Sequence, residues 1–338
     1  MLIGNEALRA RLASDLSEGR LSHAYLIEGP EGSGRKTLAT AIAAALACEA
    51  RGVSHDLPCG HCNACRKVLE GKSPDLIRIR RDSKKASIGV DEVRFLRGDV
   101  CVRPNDLETK IYVIEEADLL TVQAQNALLL TLEEPPPYVL FLLLCESASA
   151  MLETIRSRAP LLRLERIPRE TMRTHLTARD RTFASLGRTE QEEILLLSNG
   201  SVGRALVLAD PKEREPLSER RALAARYVQC VLEHADVERM LSLMTDIGIK
   251  RDRATVKREE LVALLEDVLT ALRDLILLKR SDEVTLCFYT DAEAAHALVG
   301  RVSVKSLLAL TDAVESTRRQ LLRNANVRLA MTSLFFTV

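Results

Sequence analysis

The chain contains no tryptophan, and its aromatic residues amount to 3% of 338 positions. That scarcity argues against the base-stacking surfaces used by single-strand binders and many RNA readers. No charge of one sign is in excess either. Lys plus Arg and Asp plus Glu number 48 each, so no global field draws the protein to nucleic acid or an anionic membrane. Any nucleic-acid contact is therefore expected to be local. Long uncharged apolar runs are also missing, and none approaches the roughly 20 residues that span a bilayer. The opening MLIGNEALRARLASDLSEGR is charged throughout and has no apolar h-region, so no secretory leader and no membrane partner are expected. The cytoplasm is the expected compartment.

What is there is globular: 46% apolar and 28% charged residues. A chain of 338 residues exceeds the roughly 250–300 that a single core normally serves, so several domains are expected. Residues 24–28 (AYLIE) read as a strand, followed by the glycine-rich turn GPEGSGRKT and an Ala-rich helix through about Ala50. Strand, glycine loop and helix form the P-loop arrangement. Further strands are expected at 75–79, 110–114, 139–144 and 161–164, alternating with helical patterns. That alternation implies an α/β fold with a doubly wound, mostly parallel sheet. The Pro135-Pro136-Pro137 run should end any helix before it.

After Pro168 the strand patterns stop. Thr189 with Glu192 suggests a capping box, and Gly200 suits a helix C-cap. A long helix over 256–279 would place Leu261, Leu264, Leu265, Val268, Leu272, Leu275 and Ile276 on one face. The expected division is an α/β domain at 1–166 with a cysteine-bearing insertion at 48–65, a small helical lid at 167–211 and an all-α domain at 212–338.

A working phosphate loop, G-x-x-x-x-G-K-[ST], wraps backbone N–H groups around phosphate, adds a Lys and supplies a hydroxyl to Mg²⁺. Gly29, Gly32 and Gly34 supply the glycines, but Arg35 holds the Lys position and Lys36 the hydroxyl position. The metal loses its ligand and gains a repelling neighbour. Sliding the motif makes Lys36-Thr37 the Lys-Thr pair, at the expense of a loop one residue longer. Whether ATP or ADP sits in this altered loop stays open at this stage. The second acidic segment, KIYVIEEAD at 110–118, ends an apolar strand in Glu115-Glu116, where a P-loop ATPase places a metal-supporting acid and a water-activating Glu.

Cys59, Cys62 and Cys65 form C-x₂-C-x₂-C, and Cys48 lies at the expected end of the P-loop helix. Four thiolates suit tetrahedral Zn²⁺, and a closed four-cysteine shell leaves no open position, so a structural zinc site is expected. His55 and His61 stand close enough to substitute. The only dense basic cluster, Arg78, Arg80, Arg81, Lys84 and Lys85, reads as a solvated loop because acidic residues interrupt it and no aromatic accompanies it.

These segments together resemble a known family, the bacterial clamp-loader subunits of the DNA polymerase III holoenzyme, in the AAA+ class. LSHAYLIEGPEGSG at 21–34 is similar to its approach to the P-loop, and the cysteines fall at its characteristic insertion. SPDL at 73–76, QNALLLTLEEPP at 125–136, SRA at 157–159, GSVGRAL at 200–206 and NANVRLAM at 324–331 are similar to further family segments. The resemblance implies an AAA+ domain, a lid and a helical collar that joins subunits. For Arg158 it implies an arginine finger reaching a neighbouring subunit's ATP site, and for Arg204 a lid sensor. Implied partners are gamma/tau-like motors, a delta-like subunit and, through the assembly, the sliding clamp and primed DNA.

The chain departs from the family pattern at Ala159 (usually Cys), Leu130 (usually Lys) and Cys145-Glu146 (no Thr or Asn of the first sensor). With the altered loop, these departures favour a non-hydrolysing, delta-prime-like subunit. The alternatives are an active motor of gamma/tau type and a zinc-bearing nucleic-acid-binding module on a retired ATPase scaffold.

Overall fold

The computed structural model describes residues 2–51, 58–82, 85, 87–249, 255–281, 284, 286–289, 292–300, 302–323 and 325–337. His55 and Lys84 lie outside the described residues. The chain divides into two compact units, Met1–Arg179 with Gly200–Arg204, and Asp180–Asn199 with Ala205–Val338.

In the first unit, strands β1 (Ala24–Glu28), β2 (Leu76–Ile79), β3 (Lys110–Ile114), β4 (Val139–Cys145) and β5 (Leu161–Arg163) form one sheet in the order β2-β3-β4-β1-β5. Every described pairing is parallel. Helices α1 (Glu6–Ser17), α2 (Arg35–Ala47), α3 (Asn63–Leu69), α4 (Val90–Val100), α5 (Val122–Glu133), α6 (Glu153–Arg156) and α7 (Arg169–Arg179) accompany it. This is the expected α/β P-loop fold followed by helices. The central strands β3 and β4 are buried along their whole length, as parallel strands must be when helices cover both faces. On one face Leu38, Ala39, Ile42 and Ala43 of α2 pack with Ile27, Val113 and Leu142. Small alanines let that helix lie close to the sheet. On the other, Leu96 of α4 and Leu128 and Leu132 of α5 meet Leu26, Tyr112 and Phe141. Helix α5 ends at Glu133, ahead of the proline run as expected.

Asp75, fully buried, gives the SPDL segment a physical role. Its carboxylate accepts the backbone N–H groups of Asn105, Asp106 and Leu107 at 2.7, 2.7 and 2.8 Å, fixing the loop that leads into β3.

The second unit is helical. It holds α8 (Arg181–Ser185), α9 (Arg188–Ser198), most of α10 (Val202–Leu208), α11 (Pro211–Leu232), α12 (Val237–Asp246), α13 (Arg258–Leu278), α14 (Ala292–Gly300), α15 (Val304–Leu322) and α16 (Val327–Thr337). Its core centres on α13, where Leu261, Leu264, Leu265, Val268, Leu272 and Leu275 are buried and Ile276 is only partly so. The capping expectation at α9 shifts by two residues: Gly187 is the N-cap, and its N–H donates to Glu190 rather than Thr189 pairing with Glu192. The chain leaves α9 through Asn199 at φ 49° and Gly200 at φ 80°, two successive left-handed residues. Among the described residues no helix is long and apolar enough to cross a membrane.

Candidate functional site

Parallel sheets bind ligands beyond the C-terminal ends of their strands, at the point where strand order reverses. Strand β1 lies between β4 and β5, and the turn after it carries the glycine loop. Gly32 and Gly34 both adopt left-handed backbone, at φ 72° and 100°. Gly32 is also needed for contact, because a Cβ there would stand 2.8 Å from the Arg204 nitrogen. The GSVGRAL segment docks on the loop: Gly203 N–H donates to Gly32 O at 3.0 Å, and the buried Ser201 hydroxyl donates to Glu31 O at 2.9 Å. Sequence reasoning did not single out Ser201. Arg204 is exposed beside the loop, and no ion pair holds it among the described residues.

Helix α2 starts at Arg35, so Arg35, Lys36 and Thr37 all lie in its first turn. Arg35 turns to Glu146 after β4, at 3.6 Å. Lys36 reaches the end of β3 and pairs with Glu115 at 2.6 Å, while Thr37 is exposed. Lys36 therefore serves an acid of its own chain. Glu115 is 2% exposed, and its other oxygen takes Arg78 at 3.3 Å and Arg80 at 3.1 Å. Arg78 also donates to Thr40 Oγ1 of α2 at 2.8 Å. Burial alone would raise the Glu115 pKa, but the Lys36 hydrogen bond and charge, with those of the arginines, hold it below the usual carboxylate range. Glu116, in left-handed backbone at φ 56°, pairs with Arg81 at 3.5 Å.

This corrects the reading of the basic cluster as a solvated loop. Arg78, Arg80 and Arg81 are the counter-charges of the acidic pair, and Lys85 pairs with Glu92 at 2.7 Å. Arg78 and Arg80 are two apart at the end of β2, so strand alternation puts them on one side. That Arg-x-Arg spacing was the signal available in the sequence. At the first-sensor position Cys145 is fully buried, and burial pushes its thiol up to about 12. It has no polar reach toward a phosphate.

Arg158 follows α6 and sits at the surface. Its guanidinium donates to Glu133 of α5 at 2.7 Å and to Thr154 O at 2.9 Å. The buried Gln125 fixes this corner: its amide donates to Leu120 O at 3.1 Å, and its carbonyl accepts the N–H of Leu152, the residue capping α6, at 2.8 Å.

The four cysteines converge. The sulfurs of Cys48, Cys59, Cys62 and Cys65 all lie within 4.8 Å of one another, and Cys59 and Cys65 are 3.9 Å apart. Tetrahedral zinc with bonds of about 2.3 Å sets sulfurs about 3.8 Å apart, so this set can hold a metal such as zinc. Cys62 caps α3, accepting the Cys65 N–H at 3.4 Å, and Cys48 follows α2, so the cluster ties the insertion to the P-loop helix. Hydrogen bonds from the Cys62 and His61 backbone lower the Cys59 pKa to about 6. His61 instead turns Nδ1 to Cys59 O at 2.9 Å.

A family model described as "DNA polymerase III, delta subunit" matches residues 4–168. With the relatives that follow, this match supports a clamp-loader AAA+ subunit of DNA polymerase III. Among curated relatives of this family, the tau subunit of Bacillus subtilis is 33% identical over 217 residues, 64% of this chain and 36% of the relative. That of Salmonella typhimurium is 31% identical over 297 residues, 83% of this chain and 44% of the relative. That of Escherichia coli is 37% identical over 175 residues, 52% of this chain and 26% of the relative. The chain thus spans less than half the length of these curated relatives. Among solved structures, a gamma subunit-related protein of DNA polymerase III from Thermotoga maritima overlaps 97% of each chain with a TM-score of 0.49 and 16% identity.

Proposed function

We propose that the chain is a non-hydrolysing clamp-loader subunit of delta-prime type, which lends Arg158 to the ATP site of a neighbouring subunit. One observation carries this reading: Glu115, the acid that would support Mg²⁺, is spent on Lys36, Arg78 and Arg80. An acid held by three cations repels a dication through their excess charge and is a weak base toward water. Arg158, in contrast, is partly exposed, held by Glu133, the Thr154 carbonyl and the Ser157 hydroxyl. A guanidinium suits a finger because it is always charged and presents several donors to a transferring phosphoryl group. On the same face of α5, three residues before Glu133, Leu130 is 59% exposed, an apolar spot beside the arginine that fits a subunit interface.

In this reading the protein works in the cytoplasm within an assembly of motor and delta-like subunits that loads the sliding clamp onto primed DNA. Residues 1–166, 167–211 and 212–338 serve as AAA+ domain, lid and collar. Cys48, Cys59, Cys62 and Cys65 hold a structural Zn²⁺ that stiffens the insertion and takes no part in phosphate chemistry.

The test is the ATPase of the reconstituted complex carrying Arg158→Ala. Assembly should persist, while hydrolysis at the site the finger serves falls by roughly 10³-fold. Unchanged turnover would remove the finger role. The similarity to tau subunits favours a second reading, an active motor. Hydrolysis of ATP by the purified chain alone, abolished by Lys36→Ala, would decide for it.

A further inference from the structure

We infer that the Lys36 ammonium is a built-in replacement for the divalent cation of a P-loop site, so that this corner of the molecule is closed to Mg²⁺. The inference rests on the P-loop reading of residues 29–37 and not on the role of Arg158, so failure of the finger leaves it untouched.

Three features of the corner carry it. The position that would offer a hydroxyl to the metal offers an ammonium instead, and that ammonium lies 2.6 Å from Glu115 Oε2, on the acid that would support the same metal. Both carboxylate oxygens are engaged, Oε2 by Lys36 alone and Oε1 by Arg78 and Arg80. Three cations against one carboxylate leave an excess of two positive charges, which repels a dication further. The neighbouring acids do not relieve this, since Glu116 is paired with Arg81 and Glu146 with Arg35. The residues present therefore do not fit a magnesium ion. They fit the job the ion would do, which is to bind the first turn of α2 to the acidic end of β3.

The consequence is a P-loop site that is organised without nucleotide or metal. Because Oε2 has only Lys36 as its described partner, removing the ammonium bares that oxygen and halves the excess positive charge, which recreates a place for a cation. The experiment uses the full chain and Mg²⁺ alone as the probe. Thermal unfolding is followed for the natural sequence, Lys36→Thr, and Lys36→Thr with Glu115→Gln, each in chelator-treated buffer and in about 10 mM MgCl₂, where a cation bound to the native state raises Tm by mass action.

Expected is a natural-sequence Tm that Mg²⁺ leaves unmoved, a drop of roughly 1–2 °C in Lys36→Thr, and recovery of at least half that drop by Mg²⁺. The double variant should show no recovery. The inference is overturned if Mg²⁺ raises the natural-sequence Tm in a way that Glu115→Gln abolishes, because the corner then takes metal with Lys36 in place. It is equally overturned if Lys36→Thr shows no drop, or a drop that Mg²⁺ does not repair, because the ammonium then does not do the work of a cation.

Discussion

Replacing Glu115 with Gln keeps the side chain's shape and removes its charge. In a P-loop ATPase that change disables catalysis and often leaves stability unharmed or improved, since functional acids are held at a stability disadvantage. Here the opposite is expected. Glu115 is 2% exposed and meets Lys36, Arg78 and Arg80 at 2.6, 3.3 and 3.1 Å. Unit charges about 4 Å apart attract by about 4 kcal/mol at an effective dielectric near 20, which is an upper bound for each pair. Lys36 and Arg80 are 65% and 63% exposed, so solvent screens their shares to about 0.5 kcal/mol each. Arg78 is 22% exposed, and its charged hydrogen bond is worth about 1.5–2 kcal/mol. The sum is about 3 kcal/mol. For a unit of roughly 180 residues this lowers Tm by about 6–12 °C, readable by circular dichroism. The pH dependence has a definite sign. A carboxylate whose folded pKa is depressed contributes its stability above the unfolded value, about 4.3, and loses it as pH falls through the folded one. The gap between the natural sequence and Glu115→Gln should therefore hold from pH 8 to about 5 and close only below about 4. A drop under about 2 °C, or a gain, would refute the picture of Glu115 as the hub of an ion cluster.

Asp75→Asn removes one of two carboxylate oxygens that hold the N–H groups of Asn105, Asp106 and Leu107, and should cost about 2 kcal/mol in urea unfolding. An unchanged midpoint would mean that the loop finds its own solvation. Metal analysis of the chain purified without chelator should find one zinc per chain, and Cys62→Ser should remove it with a fall in Tm. Iron, or no metal, would refute the zinc assignment. Arg158→Ala in the isolated chain should move stability by less than about 1 kcal/mol, because its pair with Glu133 is 35% and 43% exposed. A larger loss would make any ATPase defect of that variant a folding effect.

The parts of this protein that were legible in its sequence are those fixed by local pattern. All five strands lie within one residue of their expected bounds, because apolar runs bounded by turns leave a buried strand little choice. Cys59, Cys62 and Cys65 converge because an x₂ spacing aims thiols into one tight loop, and Cys48 joins them from the end of α2. The ion cluster was not legible in this way. From sequence, Lys36 was a neighbour that repels a metal; the fold makes it a partner of Glu115, which requires knowing that β3 lies one strand away from the P-loop strand across β4. Arg78 and Arg80 looked like a solvated run because their partner is far along the chain. At α9 two capping pairs of equal spacing competed, and the extended backbone of Gly187, φ −63° and ψ 155°, made it the N-cap.

The proposed loss of the P-loop's own chemistry and the proposed use of Arg158 are structurally separable. The ion cluster occupies the ends of β2 and β3 and the start of α2, and among the described residues no hydrogen bond or ion pair of its members reaches the α5–α6 corner. Arg158 is placed from the other direction. Gln125 pins the residue that caps α6, and Glu133, two turns further along the same helix, holds the guanidinium itself. Both anchors belong to one continuous helix, whose rigidity sets the distance between them. A segment that reads in sequence as one signature, QNALLLTLEEPP, thus acts as a mount for the arginine that follows it. Leu130, its departure from the family pattern, points outward and bears on neither anchor. On the proposed function, substitutions that closed the phosphate corner accumulate without moving Arg158, and a chain without nucleotide turnover would keep the side chain a neighbour needs.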